Sequence, residues 1–135
     1  MSDFDALLSP RSEHAIQNET LMRITAMSGV FAYRQNSGTA WQGQPIDVPP
    51  GEYVRVTHGM KILANARPID FGLPGSGDIV GQRYGKAFQI EMKTTEGRQE
   101  TTQKNFEREW VKRGGIYILA RSASDAEDGL RKIQL

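Results

Sequence analysis

The chain has 135 residues, 38% of them apolar and 24% charged, and its 17 Lys and Arg against 16 Asp and Glu leave a net charge of +1. That length bounds one domain with a single core, and the lack of cysteine excludes disulfides, thiolate zinc sites and a Cys nucleophile while fitting a reducing, cytoplasmic setting. No apolar run approaches a membrane span, and the acidic start Met1-Ser2-Asp3-Phe4-Asp5 does not read as a signal peptide; a non-specific DNA coater is usually more basic than this chain, but an acidic metal site offset by a basic rim is also near neutral, so net charge does not decide between DNA-related readings.

Residues 1–11 are expected to form a flexible N-terminus ahead of one domain over 12–135. Ser9-Pro10 or Ser12 starts a helix, with Ser as N-cap and Pro in the first turn, running to about Met27 before Gly29 stops it. Glu13, Ile16, Gln17, Thr20, Ile24 and Met27 recur at spacings of three and four and form one stripe, apolar except near its start. Val30-Phe31-Ala32-Tyr33-Arg34 reads as a strand, Asn36-Ser37-Gly38 as a turn, and Thr39-Ala40-Trp41 as the returning hairpin partner. Residues 42–74 are broken first by Pro45, Pro49 and Pro50; 53–56 alternates weakly as a short strand, and Lys61-Ile62-Leu63 suits a strand or part of a helix. Gly72-Leu73-Pro74-Gly75-Ser76-Gly77 is Gly-rich but lacks the Lys-Ser/Thr of a P-loop. Thr101 or Thr102 caps a helix through about Arg113, with Phe106, Trp110 and Val111 on its apolar face and Gln103 one turn earlier. Gly114-Gly115 ends it, Ile116-Tyr117-Ile118-Leu119 is a buried type of strand, and Ser124-Asp125 starts a short last helix through about Lys132. The order αβββ-αβα implies an α/β fold with a mixed sheet flanked by helices.

Chemistry concentrates in Gly75-Ser76-Gly77-Asp78-Ile79-Val80-Gly81 and in Phe88-Gln89-Ile90-Glu91-Met92-Lys93-Thr94. Strand side chains alternate faces, so Phe88, Ile90 and Met92 share one face and Gln89, Glu91 and Lys93 the other. If the two segments pair as a hairpin, Asp78 joins Glu91. Two carboxylates held close repel unless a cation lies between them, and hard oxygen ligands suit Mg²⁺ or Mn²⁺. Such an ion stabilises charge developing on a phosphate, and Lys93 orients the attacking water. Arg34, Asn36 and Ser37 look like a phosphate-contacting turn, and Lys86, Arg98 and Lys104 flank the site in sequence and suit a nucleic-acid backbone. His14 and His58 lack metal-ligand spacing to each other and receive no role.

Asp78 with Glu91-Met92-Lys93 resembles the D and E-x-K of the PD-(D/E)XK nuclease superfamily. Further elements stand in the order of its VRR-NUC family, in the small stand-alone form: Ser12-Glu13-x-x-Ile16-Gln17, then Arg34-Gln35-Asn36-Ser37-Gly38, the Gly-x-x-Asp-hydrophobic-x-Gly stretch, Gly97-Arg98 and Gln103. The resemblance spans roughly residues 12 to 130, and its late strand reads Ile116-Tyr117-Ile118-Leu119-Ala120-Arg121 in place of a clean V-R-R. It implies a restriction-endonuclease-like core, a first acidic ligand from the N-terminal helix (Glu13, with Glu19 the alternative off the stripe), a further ligand from the Met92 carbonyl, and Gln103 beside the lysine. Catalytic roles then fall to Glu13, Asp78, Glu91, Lys93 and Gln103.

The resemblance further implies a metal-dependent, structure-selective DNA endonuclease, with a four-way (Holliday) junction or flap as substrate, acting as a homodimer in DNA repair or replication of a bacterium or phage-infected cell. Two other readings stand beside it: a nuclease-fold module that binds DNA or a partner without cutting, and a flap or nicking nuclease that needs a second protein.

Overall fold

The computed structural model describes residues 12–55, 59 and 61–135. The expected loose segment 1–11, a helix start at Pro10, and the readings placed on Val56, His58 and Met60 lie outside the described residues. The elements run α1 (Glu13–Thr25), β1 (Val30–Arg34), β2 (Gly38–Pro45), β3 (Leu63–Phe71), β4 (Ile79–Arg83), β5 (Lys86–Met92), α2 (Thr101–Lys112), β6 (Ile116–Ala120) and α3 (Ala123–Arg131). A four-stranded mixed sheet of order β1-β4-β5-β6 carries the core, antiparallel through β1, β4 and β5 and parallel between β5 and β6; β2 and β3 form a separate two-stranded ribbon.

Period-two alternation divides this sheet into two faces. Val30, Ala32, Ile79, Phe88, Ile90, Met92, Ile116, Ile118 and Ala120 point to one side, where Ile24 of α1 and Ala126 and Leu130 of α3 complete the core. Phe88, Ile90 and Met92 are fully buried there, and truncating a buried Phe such as Phe88 to Ala costs about 3–5 kcal/mol. The stripe expected on α1 packs as Ile16, Thr20, Ile24 and Met27 against this layer. Ser12 caps the helix by accepting the Ala15 N–H, and Arg23 Nε donates to Glu127 Oε1 at 2.9 Å, tying α1 to α3.

The opposite face is covered by α2 over β5 and β6. Phe106 packs on Trp110 and Tyr117, and Trp110 Nε1 donates to the Ile116 carbonyl. Val111, expected on this apolar face, is instead 51% exposed, because it is one position past Trp110 and turns outward. Glu100, not Thr101 or Thr102, is the N-cap of α2; its side chain and that of Gln103 satisfy each other's backbone N–H in a capping box.

The β4–β5 hairpin closes through Tyr84 and Gly85, both with positive φ (51° and 81°), the geometry of a two-residue I′ turn. Tyr84 bears this unfavourable conformation because its N–H donates to the Gly29 carbonyl and its hydroxyl pairs with Ser28 Oγ at 2.7 Å. A Cβ at Gly29 would collide with the Tyr84 ring, so glycine is required there for packing as well as for its own φ of 75°.

Two expectations about strand pairing are corrected. β1 pairs with β4, not with the segment containing Thr39-Ala40-Trp41, which lies in β2 and pairs with β3. The strand suggested near residue 53 does not form over the described part, while Lys61-Ile62-Leu63 leads into β3. Among the described residues no helix is long and apolar enough to cross a membrane.

Candidate metal centre

The β4–β5 register pairs Ile79 with Ile90, so the next pair outward is Asp78 with Glu91, on the α2 side of the sheet. Asp78 directly precedes β4, in a loop that folds back on α2: Gly75 has φ 84°, and a Cβ on it would strike the Thr102 backbone. The loop is held from below as well. Gly77 N–H donates to Gln89 Oε1 at 2.7 Å, Gln35 Nε2 to Ser76 Oγ at 2.8 Å, and Gln35 N–H to the Asp78 carbonyl at 2.8 Å. Gln89 was visible in the sequence only as a neighbour of Glu91 on one strand face. In the fold it fixes the turn that delivers Asp78.

Asp78 Oδ2 accepts the Met92 N–H at 2.8 Å. Met92 thus contributes its backbone N–H to this carboxylate while its side chain lies in the core. Glu91 is 4% exposed. Its Oε1 accepts from Gln103 Nε2 at 2.6 Å and lies 3.6 Å from Lys93 Nζ; its Oε2 is buried and has no hydrogen-bond partner. Burial raises the Glu91 carboxyl to about 7, with the Asp78 charge adding to the rise and Lys93 opposing it. Asp78 is also raised, by burial first, against the Met92 hydrogen bond and with a further push from Glu13.

A buried carboxylate oxygen without a donor, in a pair of carboxylates that both resist ionisation, is the environment a divalent cation relieves. The donor set fits such an ion: Asp78 and Glu91 are hard oxygen ligands. Among the described residues no three His, Cys, Asp or Glu side chains gather at metal-ligand spacing. Glu13 is exposed in the first turn of α1, not buried at the head of its stripe, yet its charge reaches both carboxylates. Glu19, the alternative, lies 3.9 Å from Arg23 instead.

The other expected site residues fall into two groups. Arg34 stands at the end of β1, where its charge favours ionised Asp78 and its guanidinium meets Asn18 Oδ1 and His14 Nδ1 on α1. Asn36 and Ser37 are exposed just beyond it, with Gly72 against them. Arg98 and Lys104 are exposed on either side of the Glu100 cap, at the end of α2 that supplies Gln103. Lys86 is not part of this group. It opens β5 at the hairpin turn, five residues from Glu91, or about 16 Å along the strand, and its parity places it on the opposite face.

Three neighbours carry roles the sequence did not reveal. Arg121 Nη1 donates to the carbonyls of Thr94 and Gly97, both at 2.6 Å, clamping the loop that leaves Lys93. Tyr117, beside Gln89 in the parallel register, has its hydroxyl pushed up by burial and then by the Glu91 charge. His14, given no role, orients Arg34. A mostly apolar hollow of about 530 Å³ lies elsewhere, lined by Pro45, Ile46, Tyr53, Val54, Ile62 and Leu63 with Glu52 and Lys61 at its edge, and neither Asp78 nor Glu91 borders it.

Comparison with known protein families, and with curated proteins, returned no match.

Proposed function

We propose that the chain is a divalent-metal-dependent DNA endonuclease of the PD-(D/E)XK type, similar to stand-alone VRR-NUC nucleases. The observation that carries this reading is the opposed pair Asp78 and Glu91, with the buried, undonated Oε2 of Glu91 and the Lys93 ammonium 3.6 Å from Oε1. The mixed sheet, with its carboxylates on an antiparallel hairpin and a parallel strand on the far side, is the architecture such a core would need.

Asp78 and Glu91 would hold Mg²⁺ or Mn²⁺, with the Met92 carbonyl and Glu13 as further oxygen donors. The ion would supply charge stabilisation to a phosphodiester during hydrolysis. Lys93, fixed against Glu91 and largely buried, orients the attacking water and offsets charge on the transferring phosphate. Gln103 holds Glu91 in place through one carboxylate oxygen and leaves the other open. Arg34, Asn36, Ser37, Arg98 and Lys104 border the centre and suit contacts to the DNA backbone. A four-way junction or flap is the substrate class, and a homodimer the form in which two such sites would act.

The test is incubation with branched and linear DNA in Mn²⁺, Mg²⁺ or EDTA. Cleavage in either metal and none in EDTA is expected. Binding without cleavage in both metals would instead favour a nuclease-fold module that recognises DNA or a partner, or a nuclease that waits for a second protein.

A further inference from the structure

Strand β1 alternates between core and solvent: Val30 and Ala32 pack inward, while Phe31 and Tyr33 stand on the other face, 67% and 53% exposed. The register carries that outer face across the sheet. Tyr33 lies opposite Val80, Val80 opposite Gln89, and Gln89 opposite Tyr117; Phe31 lies opposite Gln82, and Gln82 opposite Ala87. Glu91 is the next residue beyond Gln89 on this same face, so the two exposed rings and the candidate metal centre share it. Helix α2 covers the β5–β6 half and leaves the β1–β4 half open. Phe31 and Tyr33 are two residues apart, about 6.6 Å along the strand, and Tyr33 is about 12 Å from Glu91 by strand rise and spacing.

The chemistry of this open half selects its occupant. Besides the rings it presents Val80, Gln82 and Ala87, with no carboxylate among them to repel a phosphate chain. Flat aromatic faces on a sheet stack on nucleobases, and base faces are accessible only where bases are unpaired, since a duplex offers edges alone. From this, and resting on the nuclease reading above, we infer that Phe31 and Tyr33 form a stacking platform for unpaired bases next to the scissile phosphate. The platform makes unpaired bases, as in a flap or at the opened centre of a junction, part of what the site recognises.

The test is equilibrium binding, in EDTA so that no hydrolysis runs, of a labelled oligothymidylate and of a blunt duplex of equal length. Wild type binds both. The double variant Phe31→Leu/Tyr33→Leu, which keeps apolar strand residues, is expected to lose oligothymidylate affinity by about tenfold or more while duplex affinity stays within about twofold. Tyr33→Phe, which keeps the ring, retains single-strand binding. The inference is overturned if wild type does not bind oligothymidylate, if the double variant binds it unchanged, or if both ligands weaken equally. It is also overturned if the double variant alters sedimentation mass with single-strand affinity intact, which would make the face a contact between copies. Mn²⁺-dependent nicking of plasmid DNA by the same proteins separates the two readings. Normal nicking with ring-independent binding sinks the platform alone, whereas ring-dependent binding without any nicking upholds the platform and sinks the nuclease.

Discussion

Gln103 donates from Nε2 to Glu91 Oε1 at 2.6 Å while its own Oε1 accepts the Glu100 backbone N–H at 2.8 Å. One amide therefore spans from the N-cap of α2 to a buried carboxylate of the candidate metal centre. It settles the side-chain orientation of Glu91 and, by occupying Oε1, leaves Oε2 as the oxygen without a donor. Outer groups that orient a ligand carboxylate typically matter for metal affinity by about 10–100-fold. Gln103→Leu should accordingly weaken Mn²⁺ binding by about that factor. Isothermal titration on the folded variant decides it, and an unchanged Mn²⁺ affinity would reduce Gln103 to a helix cap.

The elevated Glu91 carboxyl makes a signed prediction about pH. Its folded value of about 7 exceeds the ordinary 4.5, so the folded state holds a proton that the unfolded chain has released. Stability of the metal-free protein should then fall as pH rises from 4.5 to 7, by about 3 kcal/mol from this group. Asp78 adds in the same direction. Glu91→Gln should flatten most of that fall in EDTA, as read by thermal melts across the range. In Mn²⁺ the slope reverses, because the ion competes with the proton and binds better at higher pH. At about 100 times its dissociation constant it should raise the wild-type melting temperature by about 5–10 °C. A pH profile identical in wild type and Glu91→Gln would mean that Glu91 is already ionised.

Lys93 is 3.6 Å from Glu91 and is largely buried, the placement that the proposed role in cleavage requires. Lys93→Ala should leave DNA affinity near wild type and slow cleavage by about 100-fold or more, the scale of losing one transition-state electrostatic contact. Single-turnover cleavage measured at saturating protein separates the rate from binding. Near-normal rates would remove the lysine from the mechanism.

What was legible in the sequence follows from what is local. The partition of residues 88–93 between faces needed only the period of a strand, and it agrees with Phe88, Ile90 and Met92 joining the core while Gln89 bonds to the Gly77 loop and Glu91 to Gln103 of α2. Helix α1 announced itself by the Ser12 cap and an apolar stripe, and α2 by its ends, although Glu100 took the cap. The ribbon was opaque for a physical reason. β2 and β3 pair across an interval of residues 46–62, and nearly every side chain in both is exposed, so no hydrophobic alternation marks them. The pairing of β1 with β4 likewise depends on a contact between residues about fifty apart, which neighbouring turn signals could not reveal. At the candidate site, the grouping of Asp78, Glu91 and Gln103 was expected from the motif, while the contacts of Gln89 and Arg121 were not, because their partners are backbone groups of loops whose course the sequence does not encode locally.

The ribbon also bears on assembly. In the ribbon Trp41 is 66% exposed on one face, and Ile69 and Phe71 are 36% and 41% exposed on the other; Leu73 and Tyr53, outside its strands, are 60% and 95% exposed. Several exposed large apolar side chains on a chain of 135 residues favour association. One centre cuts one strand per binding event, whereas resolving a four-way junction requires two symmetric cuts, which a twofold dimer would provide. The protein is expected to be a homodimer that nicks synthetic four-way junctions at paired, symmetry-related positions. Trp41→Ser together with Phe71→Ser should shift it toward monomer and uncouple the two nicks without abolishing single nicks, because neither residue belongs to the carboxylate centre. Light scattering at micromolar concentration, run beside strand-by-strand mapping of cuts on a fixed junction, tests both halves. A wild-type monomer making unpaired nicks would exclude the dimeric resolvase and leave a flap or nicking nuclease as the activity to pursue.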